Sequence, residues 1–224
     1  MNTYKLAAFL LLLSAALSTS AQSLLIDVSA GRSRSDDAYA RIALRSQLSP
    51  RVRLGLEVQT GSARYRFIGA KPFTDGQVLS LRIPVSVKFY ESETFEANFF
   101  LSPGYRRLTK SGEQGPLASS TSTAVSLEPG IMTRIGLTER LSFHSGFSVP
   151  MVYEIRPERL FENELTLIQT GLSYRVGTRA LLFARVPFGG AYGADGDAEK
   201  YFWATEIGFR FALGGDLKNA SLEF

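Results

Sequence analysis

One stretch constrains the fold of this chain more than any other: residues 77–105, QVLSLRIPVSVKFYESETFEANFFLSPGY. Apolar side chains take the odd positions, Leu79, Leu81, Ile83, Val85, Val87 and Phe89, then Phe95, Ala97, Phe99, Leu101 and Tyr105 beyond a polar turn at 91–94. The even positions are mostly polar or small, with Ser80, Arg82, Ser86 and Lys88 on the first arm and Glu96, Asn98, Ser102 and Gly104 on the second. A repeat of two places each set on its own face of a β-strand. Each arm exceeds the roughly 9–11 residues that a tilted strand needs to cross a bilayer, and aromatic residues flank the turn where a membrane interface would lie. The stretch predicts a transmembrane β-hairpin.

The same period runs through most of the chain. Residues 24–30 set Ile26, Val28 and Ala30 against Asp27 and Ser29. Residues 38–48 and 52–60 form a hairpin of opposite parity, with Ala40, Ile42, Leu44, Val52, Leu54, Leu56 and Val58 facing away from Arg41, Arg45, Gln47, Arg53, Glu57 and Gln59. After Gly61 the parity changes, with Tyr65 and Phe67 opposite Arg64 and Arg66, which predicts a bulge. A third hairpin joins 123–135, where Val125, Leu127 and Ile131 oppose Ser126, Glu128, Gly130 and Arg134, to 141–153, where Phe143, Phe147, Val149 and Met151 share a face. In 165–176 and 179–188 both parities hold apolar residues, so their facing stays open. The last strand, 201–213, sets Tyr201, Trp203, Ile207, Phe209, Phe211 and Leu213 against Ala204, Glu206, Gly208 and Arg210.

Connections read as long after Ala30, Ile68, Leu108, Tyr153 and Phe188, the third being an exposed loop over 107–121, and as short at Pro50, Ser92, Leu137 and Gly177. Alternating long and short connections predict an all-β, antiparallel, up-and-down transmembrane β-barrel of about ten strands. Pro84 and Pro129 fall near mid-strand, where each removes a ladder hydrogen bond and is expected to raise a local bulge.

Alternation alone does not say which face is inside, because a soluble barrel or sandwich also alternates. The polar face decides it. It carries many arginines but, among lysines, only Lys88 within the strands, and arginine suits enclosed, multiply bonded pairing. It also carries Gly55, Gly104, Gly130, Gly146, Gly171 and Gly208, which would leave room for long arginines in a narrow bore. The polar face is therefore expected inside, with a lumen-lining charge network of Arg45, Arg53, Glu57, Arg82, Glu96, Arg106, Glu128, Arg134, Glu206 and Arg210. Tyr65, Phe67, Tyr153, Tyr201 and Trp203 at one end, and Phe89, Phe95, Phe143, Tyr174 and Phe211 at the other, fit two aromatic girdles.

Residues 1–21 hold Lys5, an apolar run over 6–17, and Thr19 and Ala21 at the −3 and −1 positions of a cut before Gln22, the pattern of a cleaved signal peptide. The remaining domains are expected to be a barrel over 22–213 and a short periplasmic tail over 214–224. Hydrophobic residues make up 45% of the chain, yet no run beyond the signal approaches transmembrane-helix length, a combination that a barrel reconciles. Cysteine is absent, which removes thiolate chemistry and disulfides. The formal net charge of +4 is spread singly along alternating strands rather than clustered, which argues against nucleic acid.

An export signal, alternating strands and an aromatic-rich last strand together resemble the small outer-membrane β-barrel proteins of Gram-negative bacteria over nearly the whole mature chain. The resemblance is architectural and carries no short motif. It implies a monomer in outer-membrane lipid, and Phe224 looks like the C-terminal aromatic of that family's assembly signal, although a tail separates it from the last strand. Some such barrels are surface proteases whose histidine and acid pairs lie at the outer rim. His144, the lone histidine, sits near the other end of its strand, so a hydrogen-bonded lumen role is expected of it.

Asp195, Asp197 and Glu199 recur at alternate positions but lack the rest of a calcium loop, and read as a solvated loop. No catalytic set, metal site or cofactor is expected. The expected function is structural or surface-binding, through outer loops that meet a ligand or partner protein. A narrow pore for small solutes, an outer-membrane enzyme acting on lipid or peptide, and a soluble periplasmic binding barrel are the alternatives.

Overall fold

The computed structural model describes residues 23–33, 38–62, 75–111, 121–156, 160–162, 165–191, 200–213 and Leu217. The expected signal segment, the parity change at Tyr65 and Phe67, and the acids Asp195, Asp197 and Glu199 lie outside these residues. Among the described residues every regular element is a strand: β1 (Ser23–Ser33), β2 (Ala38–Gln47), β3 (Val52–Ser62), β4 (Asp75–Arg82), β5 (Val85–Glu91), β6 (Phe95–Ser111), β7 (Thr121–Gly136), β8 (Leu141–Ser148), β9 (Met151–Arg156), β10 (Leu160–Glu162), β11 (Leu165–Arg175), β12 (Ala180–Ala191) and β13 (Lys200–Ala212). β4 with β5, and β8 with β9, are halves of single wall strands, and β10 pairs only with β9, so the segments make ten wall strands.

Pairing is antiparallel around the whole ring, and it closes where β13 meets β1, Arg210 opposite Asp27 and Phe209 opposite Val28. The result is a closed up-and-down barrel, which leaves no sheet edge unpaired around the wall. Its two ends differ. Residues 48–51, 92–94, 137–140 and 176–179 make tight turns at one end, where β1 begins and β13 finishes; the remaining connections lie at the other.

The period-two pattern decides what each face meets. Val28, Ile42, Phe99, Ile131, Phe147, Ile207 and Phe209 point out and are exposed, while Asp27, Arg41, Arg45, Glu57, Glu96, Glu128, Glu206 and Arg210 point in and are buried. This is the reverse of a soluble barrel, whose apolar face would be enclosed. The ambiguous pair β11 and β12 resolves the same way: Gln169, Ser173, Leu181, Phe183 and Arg185 face in, and Ile168, Leu172, Leu182 and Val186 face out.

The prolines behave differently from expectation. No bulge forms at Pro84: Leu54 opposes Val85 and Glu57 opposes Arg82, so the register with β3 is the same on both sides of the Ile83–Pro84 break. Gly55 donates its N–H to Pro84 O at 2.7 Å and Ile83 donates to Pro103 O at 2.9 Å, so only the donor missing from the ring itself is lost. Nor does Pro129 raise a bulge; it sits within unbroken β7, its carbonyl accepting from Val149 N–H at 3.0 Å, and the interruption falls on the facing strand at Val149 and Pro150. Register shifts occur instead between Lys88 and Tyr90, beside a tight turn, and at Thr123 and Ala124.

Strands also run further than the loop-like composition suggested. The first long connection shrinks to 34–37, and the exposed loop expected over 107–121 gives way to strand as far as Ser111 and again from Thr121. A cluster of serine, glycine and threonine reads as loop by composition, but pairing with β4 and β7 carries the strands on into it.

Candidate functional site: the barrel interior

Alternation brings charged side chains from strands far apart in sequence into one bore. Glu57 of β3 is the hub. It accepts from Arg41 Nη1 at 3.2 Å, from Arg82 Nε at 2.9 Å and from a second, shorter Arg82 contact, with Arg45 Nη2 at 3.5 Å. Arg41 reaches on to Glu206 at 2.6 Å, and Arg185 holds both oxygens of Glu206 at 2.7 and 2.8 Å. Tyr39 donates its hydroxyl to the same carboxylate at 3.3 Å. Arg82 extends the network to Glu128 at 2.9 Å, which also accepts from Ser148 at 2.7 Å.

Nearer the tight-turn end, Arg45 bonds Asp27 at 2.8 Å and Arg210 grips it through Nε at 2.6 Å and Nη2 at 2.7 Å, across the seam between first and last strands. Glu96 accepts from Arg53 at 3.2 Å and from Asn98 at 2.8 Å, with Arg134 at 3.8 Å. These charges are removed from water but paired, often two cations to one carboxylate, the condition under which buried ions persist.

The expected arginines Arg45, Arg53, Arg82 and Arg134 thus meet Glu57, Glu96 and Glu128. Glu206 is held by Arg41 and Arg185, and Arg210 by Asp27; these three partners lay outside the expected network. Arg106 is on the inward parity of β6 opposite Ser80 and Ala124, further toward the long-connection end. Arg185 escaped sequence reasoning because β12 is apolar on both parities; its signal was its place opposite Glu206, which needs the register.

The interior is not wholly polar. Phe100 packs on Met132, both buried, and a Cβ at Gly130 would overlap the Phe100 ring, just as one at Gly208 would overlap Phe183. Those glycines make room for aromatic rings and not, as expected, for arginines.

Between the charged groups lies a cavity of about 150 Å³, lined by Tyr39, Arg41, Gln59, Arg82, Glu128, Leu167, Gln169, Arg185, Pro187 and Glu206. At roughly 30 Å³ per liquid water it has room for a few water molecules. His144 is fully buried on β8, its Nε2 2.7 Å from the Ser173 hydroxyl, opposite Arg134 and Gly171. Both members of that pair are buried, and Ser148 is equally buried against Glu128. Among the described residues no three His, Cys, Asp or Glu side chains gather as a metal site.

A closed ring of ten antiparallel strands, apolar outside and ion-paired inside, is the architecture of transmembrane β-barrels. Among solved structures the chain is similar to the translocator domain of the autotransporter NalP from Neisseria meningitidis, at 9% identity over 92% of this chain and 97% of that one, TM-score 0.49. It is also similar to the outer membrane protease OmpT from Escherichia coli, at 12% identity over 85% and 95%, TM-score 0.43. A third is Ail, the attachment invasion locus protein of Yersinia pestis, at 10% identity over 84% and 97%, TM-score 0.39. No protein-family model and no curated protein sequence matches the chain. The fold itself rests on the closed ring of strand pairings.

Proposed function

We propose that this chain is an outer-membrane β-barrel with an occluded interior, working as a structural or binding protein through the end that carries its long connections. The observation that carries this reading is the buried ion-pair network, which links β12, β13, β1, β2, β3, β4 and β7 around the inside of the wall. A bore filled by its own side chains is the expectation for a small barrel, whereas open aqueous channels belong to larger ones. The apolar outer face supports placement in lipid, the tight turns face the periplasm, and a signal peptide ending at Ala21 would export the chain.

Reconstitution into planar bilayers tests this. The occluded barrel gives no stable conductance, and large, steady openings would overturn it. The cavity favours a narrow pore as second reading, whose signature is a small, steady, anion-selective current, since interior arginines outnumber acids. An enzyme of lipid or peptide is disfavoured because, among the described residues, His144 meets a serine but no carboxylate in hydrogen-bond range.

A further inference from the structure

The wall is complete by Leu213, which donates its N–H to Leu24 O at 2.8 Å. Beyond it, Leu217 is 3% exposed, as deeply buried as the interior charges. Its N–H donates to Thr178 O at 3.1 Å, on the tight turn between β11 and β12, and it clusters with Leu25, Leu181, Phe183 and Ala212. All four of these point inward: Leu25 shares the parity of Asp27, Ala212 that of Arg210, and Leu181 and Phe183 that of Arg185. Leu217 is therefore seated in the bore at its tight-turn end.

Apolar side chains gathered at the mouth of an ion-paired lumen form a socket. Left open, it would present Leu25, Leu181 and Phe183 to water, an unfavourable exposure of apolar surface. With Leu217 in place all five are buried. We propose that Leu217 and this socket are an intramolecular plug that closes the tight-turn mouth, so that the interior cavity is a blind pocket entered only from the long-connection end. The proposal deepens the occluded-barrel reading and rests on it.

The natural chain has no cysteine, so one introduced thiol reports alone. Ser173→Cys places it on an inward, buried position of β11, near this mouth. In the refolded barrel it should react slowly with a charged, water-soluble thiosulfonate. Adding Leu217→Asp should raise the rate at least tenfold, adding Leu217→Met should leave it slow, and ending the chain at Leu213 should match the aspartate without introducing a charge. Fast labelling with Leu217 intact, or an unchanged rate in folded Leu217→Asp and in the shortened chain, overturns the plug. Conductance separates the two ideas: steady large openings in the folded Leu217→Asp barrel that the unaltered chain lacks would sink the bore filled by its own side chains and leave the plugged mouth standing, whereas steady large openings in the unaltered chain would overturn both.

Discussion

A single carboxylate, Glu57, draws three guanidiniums toward itself, while Glu91 near the rim pairs with Lys88, at 2.7 Å, and is 43% exposed in its side chain. The two should therefore differ sharply in worth. Glu57→Gln leaves buried cations short of countercharge, which costs about 3–5 kcal/mol when one partner of a buried pair is removed. Glu91→Gln removes a carboxylate that water already reaches, from a pair in which only Lys88 is buried, and should cost clearly less than Glu57→Gln. Urea unfolding in phospholipid vesicles, followed by the single tryptophan, Trp203, on the outer face, measures both. Equal midpoints for the two variants would contradict a network held together at Glu57.

At the scale of the strand, the Pro84 ring and Gly55 act as one unit. A Cβ on Gly55 would lie 2.9 Å from Pro84 Cγ, so Gly55→Ala must push the ring inward against its neighbours. Overpacking of this kind costs roughly 1–3 kcal/mol, and Pro84→Ala should return part of it. A double-mutant cycle would show coupling of about 1 kcal/mol; additive effects would mean that the contact is dispensable. The same strands explain what the sequence could and could not convey. Outward Leu79, Val87, Phe99 and Ile131 are legible because lipid accepts only apolar groups, so that face never varies in kind. The inward face has no such rule. Phe100 and Phe183 enter it where Gly130 and Gly208 stand opposite, and a glycine reads as empty space until the register says whose ring fills it. Which arginine meets which acid is likewise a matter of register, so the inward charges of the hairpins were readable and their partners were not. Leu217 lay beyond any periodic segment, and no local pattern marked it for burial.

For the molecule as a whole, the apolar wall governs behaviour in the cell. The folded barrel should resist dodecyl sulfate at room temperature, run faster on a gel than the boiled chain, and leave membranes only with detergent. Recovery of soluble protein after osmotic shock would refute a lipid-facing wall. Its seam carries a further consequence. Asp27 and Arg210, which lock β1 to β13 from within, stand 183 positions apart, so the first strand to emerge waits for the last to gain its permanent neighbour. Throughout that wait β1 exposes a naked ladder of donors and acceptors, an invitation to foreign strands. Order of synthesis and order of closure are thus opposed, and the unclosed chain carries that bare edge until its final rung arrives. A polypeptide halted before Lys200 should accordingly be found aggregated or degraded, with no smaller ring in its place; a stable nine-membered ring in the membrane fraction would show that the seam is not the step on which completion waits.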